Sequence, residues 1–350
     1  MLDDKSVEIK KGHNRIDWID CAKGIGIILV IIGHTMPKKG FGSEAEQAIR
    51  AIISSFHMPL FFILSCVTFH LSTTVSEFLK TTKRSFKHLI IPALYIFLLR
   101  SIIVLINNIN IVSLWDYIKE RTLILLFSSG VDANIAGTTI PALGMPWFLV
   151  VLFFGRTLFD YFHLKIKLSY FDKIIILITV VGIWLGSVLW LPLSFDVVLA
   201  AMGFFLLGSY IKRIGLGNGK LQYAFLWLIL WGASFLTVYL VFDDFFSMAG
   251  RNYPMFPVSY FAAISGALFV SHLSMLMAKK IYAKPIIYIG KYSLFFYCAH
   301  TMDYLFDSIW NVTESVFINF LLRIFIVCIV SIVLIKVIAL VKSKRNGIKE

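Results

Sequence analysis

Apolar stretches about as long as a bilayer is thick fill most of this 350-residue chain, and short, mostly basic segments separate them. Hydrophobic residues make up 59% of the sequence and charged residues 15%, and the mean hydropathy is +0.83. A membrane-spanning helix needs about 20 predominantly apolar residues. The sequence therefore predicts an all-α membrane protein, a polytopic bundle of about ten transmembrane helices. The predicted spans are residues 16–36, 45–71, 89–106, 147–162, 174–190, 195–211, 223–242, 258–277, 286–306 and 316–341.

The distribution of Lys and Arg predicts how this bundle is oriented. With the amino terminus inside, the predicted cytoplasmic segments carry 22 of these residues and the predicted outer segments carry 5. Positive residues concentrate on the cytoplasmic side of membrane proteins. We therefore expect both termini in the cytoplasm and a multi-pass protein of the bacterial plasma membrane. The same distribution explains the net charge of +13 without a nucleic-acid partner.

The predicted domain organisation is a cytoplasmic lead (residues 1–14), a single transmembrane domain (15–341) and a basic cytoplasmic tail (342–350). No cleavable signal peptide is expected, because the first apolar run contains Asp20 and Lys23 and lacks a small-residue cleavage site. The four cysteines lie in apolar runs without the spacing of metal ligands or disulfide frameworks, so we interpret them as buried hydrophobic residues. We expect no bound metal and no permanently bound cofactor, and the oligomeric state stays open.

Charged residues inside the first apolar run are the main functional signal of the sequence. A charge near the bilayer centre costs about 2.5–3.5 kcal/mol on the insertion scale, so such residues usually face the interior of a bundle. Lys23 and His34 return to within about 20° of one helix face, roughly 16 Å apart along the axis. Asp20 lies on the same side, one turn below Lys23. This face predicts a polar pathway rather than ordinary packing.

Further candidate residues cluster in the outer half of the predicted bundle. Trp147 and His300 lie near the outer ends of the fourth and ninth spans, and His57 lies near the middle of the second. Pro59 cannot donate a backbone hydrogen bond, so a kink is predicted in the second span. Residues 72–88 are predicted to be a basic loop. Residues 107–145 are the longest non-spanning stretch, with a candidate amphipathic segment at 114–127, and long loops of this kind are often functional.

The order and spacing of several motifs resemble acyltransferase family 3, and most closely its fucose 4-O-acetylase-like branch. The family separates a basic residue, usually arginine, from a histidine in its first helix by ten residues, and Lys23 and His34 keep this spacing. Its second helix carries a His-Met-Pro-Leu-Phe-Phe run ending in Ser-Gly. That run is present from His57, with Cys66 in place of the glycine. Further matches are Lys83, Arg84, Pro92, Trp147-Phe148-Leu149 and Gly290-Lys291-Tyr292-Ser293-Leu294 before His300.

The resemblance implies transfer of an acyl group, most often acetyl from acetyl-CoA, to a hydroxyl of an extracytoplasmic or lipid-linked cell-surface glycan. It implies that His34 is the general base, a role that suits imidazole near neutral pH, with Lys23 and Asp20 on the same catalytic face. The developing oxyanion needs hydrogen-bond donors, and His57, Trp147 and His300 are unranked candidates.

The implied partners are acetyl-CoA as a co-substrate, the glycan acceptor and membrane lipids. Cytoplasmic cations are expected to hold the phosphates of CoA; they are Lys83, Arg84, Lys87, Lys212 and Arg213. Polar residues of the outer segments are expected to contact the sugar; they are Asp196, Arg251, Asn252 and Tyr253.

Less specific interpretations remain open from the sequence alone. Lys23 could serve only to neutralise Asp20, and His57 could serve only to bond a carbonyl freed by Pro59. A transporter or glycan exporter could use the same polar face to conduct its substrate, although paired broken helices in both halves, which would favour it, are not evident. A non-catalytic membrane subunit would leave Lys23 and His34 unexplained.

Overall fold

The computed structural model describes residues 15–35, 43–107, 113–217, 219–303 and 315–347. The predicted cytoplasmic lead (residues 1–14) and the last three residues of the predicted tail lie outside these ranges. Most of the described chain is helical, with one small hairpin. The elements are α1 (Asp17–Thr35), α2 (Ser43–Ser54), α3 (His57–Thr68), α4 (Val75–Ser85), α5 (Ile91–Asn107), α6 (Leu114–Phe127), β1 (Ala133–Ile135), β2 (Thr138–Ile140), α7 (Trp147–Lys165), α8 (Leu168–Val188), α9 (Phe195–Ala200), α10 (Met202–Ile214), α11 (Leu221–Phe242), α12 (Val258–Met277), α13 (Lys284–Lys291), α14 (Ser293–Asp303) and α15 (Val316–Gly347).

Seven stretches of the described helices are long and apolar enough to cross a membrane, and the bent pair that ends in α10 brings the number to eight. The helix α1 is not among them, because it contains Asp17, Asp20 and Lys23 within its 19 residues. The helices α13 and α14 are 8 and 11 residues long. A multi-pass membrane protein is therefore confirmed. The count of about ten spans and the cytoplasmic placement of both termini stay predictions.

The predicted basic loop at residues 72–88 is wrong, because most of it is helical. The helix α4 leads through a π-helical turn (Phe86–Ile90) directly into α5. The Thr74 hydroxyl accepts a hydrogen bond from the backbone N–H of Glu77, and the Glu77 carboxylate accepts bonds from the backbone N–H and hydroxyl of Thr73. Reciprocal capping of this kind starts a helix. The Thr-Thr-x-x-Glu pattern at residues 73–77 indicates a helix start. The many lysines that follow it had favoured a loop instead.

Three predicted spans contain breaks. The second is interrupted by the two residues between α2 and α3, one turn before Pro59. Residues 44–68 still form one candidate span that is not among the bent pairs, so the predicted kink stays a prediction. The sixth divides into α9 and α10, which are bent by 50°. The ninth divides at Tyr292, between α13 and α14. Each break places the start of a new helix inside the bundle, where side chains can converge.

The long outer segment is more ordered than a simple loop. The candidate amphipathic segment forms the helix α6 with the same bounds, but its apolar residues do not gather on one face, since Trp115 and Ile118 are exposed while Ile124 is buried. The helix is therefore confirmed and its amphipathic character is not. The strands β1 and β2 then pair antiparallel around Ala136 and Gly137, both of which have positive φ. This hairpin packs on α6 and precedes the start of α7.

Two glycines allow α1 to pack directly on the backbone of α13. A Cβ atom at Gly290 would lie 1.6 Å from the carbonyl oxygen of Asp20, and one at Gly24 would lie 2.1 Å from the carbonyl oxygen of Ile286. Backbone atoms on both sides leave no flexible side chain to move. The motif Gly290-Lys291-Tyr292-Ser293-Leu294 thus has a packing role in addition to any functional one.

We expect Gly290→Ala to lower the free energy of unfolding by about 1–3 kcal/mol, the usual effect of overpacking. The apparent unfolding temperature of the detergent-solubilised protein measures this change. Gly232→Ala on α11 is the matched control, because no atom lies within 4 Å of a Cβ built there. Identical unfolding temperatures for the two variants would contradict the close approach of α1 and α13.

Candidate active site

A cavity of about 270 Å³ lies at the end of α1 that carries His34. His34 from the last turn of α1, His57 from the start of α3 and Trp147 from the start of α7 all line it. Arg50 from α2 and Tyr297 from α14 line it as well. We call this space the histidine cavity. It brings together three of the predicted site residues, which lie far apart in the sequence.

His300 contacts His34 but does not line the histidine cavity. The centroids of the two imidazole rings are 5.4 Å apart, with an angle of 40° between their planes. His300 is fully buried, and neither of its ring nitrogens has a hydrogen-bond partner among the described residues. His300 therefore packs behind His34 and limits where that ring can move. Its predicted contact with substrate stays a prediction.

The hydrogen bond of His57 fixes which of its nitrogens carries the proton. Its Nδ1 lies 2.7 Å from the backbone oxygen of Ile53. A carbonyl oxygen can only accept, so in the neutral ring Nδ1 is protonated and Nε2 keeps its lone pair. Neutral His57 thus offers the cavity an acceptor. This geometry disfavours His57 as a donor to the oxyanion. The sequence alone does not distinguish His57 from Trp147 and His300 in that role.

Trp147 is buried, with 6% of its surface exposed, and its indole lies against Gly130. A Cβ atom at Gly130 would lie 2.6 Å from the indole Cδ1 and Nε1 atoms, so only glycine fits beneath the ring. The indole N–H is a donor only. Of the three candidate oxyanion donors, Trp147 is therefore the one that both lines the histidine cavity and has an N–H to donate when neutral.

Near the start of α1, Asp20 pairs with Arg15 and not with Lys23. The Arg15 Nη1 atom lies 3.5 Å from Asp20 Oδ2 and also donates to the Lys291 carbonyl oxygen at 3.0 Å. Lys23 feels the Asp20 charge only at longer range. The interpretation that Lys23 serves only to neutralise Asp20 therefore has no support from the ion pairs of the described residues.

Lys23 lines a second cavity, of about 180 Å³, together with Arg156 of α7. We call it the cation cavity. Ser293 and Leu294 from the start of α14 contribute to its wall. Val30, Met58 and Tyr297 border both the cation cavity and the histidine cavity. The two spaces are thus neighbours along α1, as the predicted polar face of that helix requires.

The predicted phosphate ligands lie outside both cavities. Lys83 and Arg84 lie in the last turn of α4, and Lys87 is exposed in the π-helical turn. Arg84 is close enough to Arg156 for their charges to interact. Lys212 donates to the Phe69 carbonyl oxygen, and Arg213 lies over the Tyr210 ring. Binding of CoA by these cations stays a prediction.

Asp196 and Arg251 use their polar atoms within the protein. Arg251 Nε lies 2.7 Å from Asp196 Oδ2, and these side chains are 2% and 0% exposed. The Arg251 guanidinium also donates to the hydroxyls of Ser129 and Ser194, both at 3.0 Å, and stacks on Trp190. Neither residue of the ion pair lines the histidine cavity. These contacts hold the loop of residues 243–257, which joins α11 to α12. Contact of Asp196 or Arg251 with a sugar stays a prediction.

Neighbouring residues of that loop reach the histidine cavity. The backbone of Asn252 pairs with Ser247, which lines the cavity, and the Asn252 side chain donates to Asp244 at 2.6 Å. Burial raises the pKa of the Tyr253 hydroxyl. Burial also lowers the pKa of Arg251, although the negative charge of Asp196 acts in the opposite direction. Asn252 therefore holds this loop through its hydrogen bonds, and Tyr253 packs in it against Phe246. Their predicted sugar contacts are untested.

Two arginines that line these cavities were not among the predicted site residues. Arg50 lines the histidine cavity, pairs with Glu46 at 2.8 Å and donates to the Gly33 carbonyl oxygen at 3.0 Å. Arg156 lines the cation cavity. Both were visible as charges within or beside predicted spans, a feature that marks functional positions in membrane proteins. No cluster of three or more residues able to hold a metal ion occurs within the described ranges.

Apolar helices long enough to cross a membrane, an imidazole-lined cavity and a neighbouring cation-lined one indicate a multi-pass membrane protein with polar internal cavities. The sequence profile of acyltransferase family 3, described as an acyltransferase domain, matches residues 16–340. The chain belongs to this family and is a membrane acyltransferase. No curated protein and no solved structure matches it, so the fucose 4-O-acetylase-like branch stays a prediction. The family match lends no support to a transporter or exporter.

Proposed function

We propose that this protein is an O-acetyltransferase that moves an acetyl group from cytoplasmic acetyl-CoA to a sugar hydroxyl of an extracytoplasmic or lipid-linked cell-surface glycan. The observation that carries the proposal is the presence of His34, His57 and Trp147 around one cavity in a chain of this family. Together they supply a base, a hydrogen-bond acceptor and a hydrogen-bond donor.

In the proposed reaction, His34 takes the proton of the sugar hydroxyl as its oxygen attacks the thioester carbonyl carbon. The indole N–H of Trp147 donates to the oxyanion of the tetrahedral intermediate. The carbon–sulfur bond then breaks, and the CoA sulfur leaves with the proton that His34 had taken. The acceptor lone pair of His57 can accept a hydrogen bond from a neighbouring hydroxyl of the same sugar and so orient the acceptor, and His300 holds the His34 ring from behind.

The purified protein with isotope-labelled acetyl-CoA and candidate glycans tests this function, with label in the glycan as the readout. We expect transfer to require the glycan. Label that never leaves CoA with any glycan or lipid-linked sugar would contradict the proposed substrates.

The sidedness of the reaction gives a further prediction. In proteoliposomes with one orientation of the protein, we expect acetyl-CoA to act only from the face that carries Lys83, Arg84 and Lys87. A membrane-impermeant acceptor is expected to be modified only from the opposite face, to which the proposal assigns the histidine cavity. Reaction of both substrates when they are confined to the same face would exclude transfer across the membrane.

A further inference from the structure

The cation cavity carries positive charge that the protein does not balance. Its polar lining consists of Lys23, Arg156 and the hydroxyl residues Ser65, Thr68, Ser293 and Tyr297, without a carboxylate. In the described part of the chain, no ion pair joins either cation to an acid. Burial of an unpaired charge is strongly unfavourable, so this arrangement calls for an anion from outside the chain.

The two carboxylates whose charges act on these cations are engaged elsewhere. Asp20 pairs with Arg15, as described above. Asp160, one turn from Arg156 on α7, accepts hydrogen bonds from the backbone N–H and the hydroxyl of Ser72, both at 2.7 Å. These acids act on the two cations only at longer range, and the cations also repel each other.

Two buried atoms of the residues that line this cavity lack hydrogen-bond partners among the described residues. They are Nε of Arg156 and Oγ of Ser65. Buried polar groups are almost always hydrogen-bonded, and an exception in a native protein needs a physical reason. Two such atoms beside the same unbalanced cavity point to one absent ligand that accepts hydrogen bonds.

A purely structural role does not account for Arg156. Its guanidinium lies 4.2 Å from the centroid of the Phe69 ring, at the carboxyl end of α3, where the helix dipole favours a cation. Lys212 already donates to the Phe69 carbonyl oxygen, however. Stacking uses the flat face of a guanidinium and leaves its N–H edge available, because the donors lie in the plane of the group.

We propose that the cation cavity binds a phosphoryl group, with Lys23 and Arg156 as its charged partners and Ser65 as a hydrogen-bond donor. The planar fork of a guanidinium matches two phosphate oxygens. Two cations without an acid match the charge of a phosphate dianion rather than that of a single carboxylate.

The identification of the molecule that carries this phosphate rests on the proposed function. Val30, Met58 and Tyr297 border both cavities. A thioester donor held by a phosphate beside Lys23 would therefore extend its arm towards His34. A phosphate of the donor is the favoured source, and the phosphate of a bound lipid has the same chemistry.

Kinetics with two donors distinguish these sources. We expect Arg156→Gln to raise the KM for acetyl-CoA by about 10–100-fold, the effect of one lost charge-assisted hydrogen bond. The KM for acetyl-pantetheine, which lacks phosphate, should stay at the wild-type value. Lys165→Gln is the control, because this lysine is exposed at the end of the same helix. An equal rise in KM with both donors would overturn the proposal.

If neither KM changes, the phosphorus content of the lipid that co-purifies with the protein is measured to test whether a lipid supplies the phosphate. A fall in its phosphorus content in Arg156→Gln, relative to wild type and Lys165→Gln, would assign the phosphate to a lipid. Unchanged KM values together with unchanged lipid phosphorus would overturn the proposal.

A binding measurement separates this site from the enzymatic function. In delipidated protein, we expect inorganic pyrophosphate to raise the unfolding temperature of the wild type, to raise it less in Arg156→Lys and to leave Arg156→Gln unchanged. Ser65→Ala provides a milder test if Arg156→Gln does not fold, and pyrophosphate should stabilise it less than wild type. Wild-type protein that stabilises with pyrophosphate yet transfers no acetyl group would refute the proposed function alone. No stabilisation of the wild type would overturn the phosphate site.

Discussion

Replacement of His34 with alanine is expected to slow acyl transfer by about 10²–10⁴-fold, the usual contribution of a positioned general base. His34 lines the histidine cavity at the end of α1, with the His300 ring packed behind it. Alanine removes the proton acceptor and leaves the neighbouring walls in place. The turnover number should therefore fall while the KM for the acyl donor changes little, because no donor contact is lost.

The matched control is His70→Ala, since His70 is an exposed histidine close to the end of α3. We expect that variant to keep wild-type turnover. Both variants should elute from gel filtration as the wild type does, which separates chemistry from folding. Turnover of purified His34→Ala within a few-fold of wild type would show that another group acts as the base.

Replacement of Arg251 with methionine is expected to lower the free energy of unfolding by about 3–5 kcal/mol, because it leaves the buried Asp196 carboxylate without its partner. Three further hydrogen bonds, to Ser129, Ser194 and the Ala249 carbonyl oxygen, are lost with the guanidinium. Ala249 lines the histidine cavity, so the KM for the acceptor should rise as the loop loosens.

The control for this variant is Arg121→Met, which breaks the partly exposed Arg121–Glu120 pair, whose side chains are 22% and 39% exposed. Exposed pairs contribute about 0–1 kcal/mol. The double variant Arg251→Met with Asp196→Leu should recover much of the lost stability, since it removes the stranded charge as well. Equal unfolding temperatures for Arg251→Met and Arg121→Met would contradict a structural role for the buried pair.

The spans were predictable because apolar length is a local property of the sequence. The bounds of α6, α11 and α12 follow the predicted segments to within a few residues, and the break before Pro59 follows from its missing N–H. The breaks at Ala201 and Tyr292 carry no such local signal. They arise from how the helices pack on one another, as at Gly290, where a carbonyl oxygen of α1 takes the place of a side chain.

The candidate site was partly predictable for the same reason. Helical periodicity places Lys23 and His34 on one face, and both line cavities along that face. Periodicity within one helix cannot show which residues of other helices they meet. The contact between His34 and His300, the proton placement on His57 and the use of Arg156 beside Lys23 all depend on tertiary structure.

The residues shared by the two cavities bear on whether protons could leak through the protein. Val30, Met58 and Tyr297 form the wall between the cavities, and the Tyr297 hydroxyl is occupied by the Met145 carbonyl oxygen. A continuous file of water through the protein would discharge the proton gradient. An apolar partition interrupts such a file while polar groups remain on both sides of it. If the proposed transfer operates, an uncharged acyl group would cross this wall while a hydrated ion would be held back, so the protein would transfer the acyl group without conducting ions.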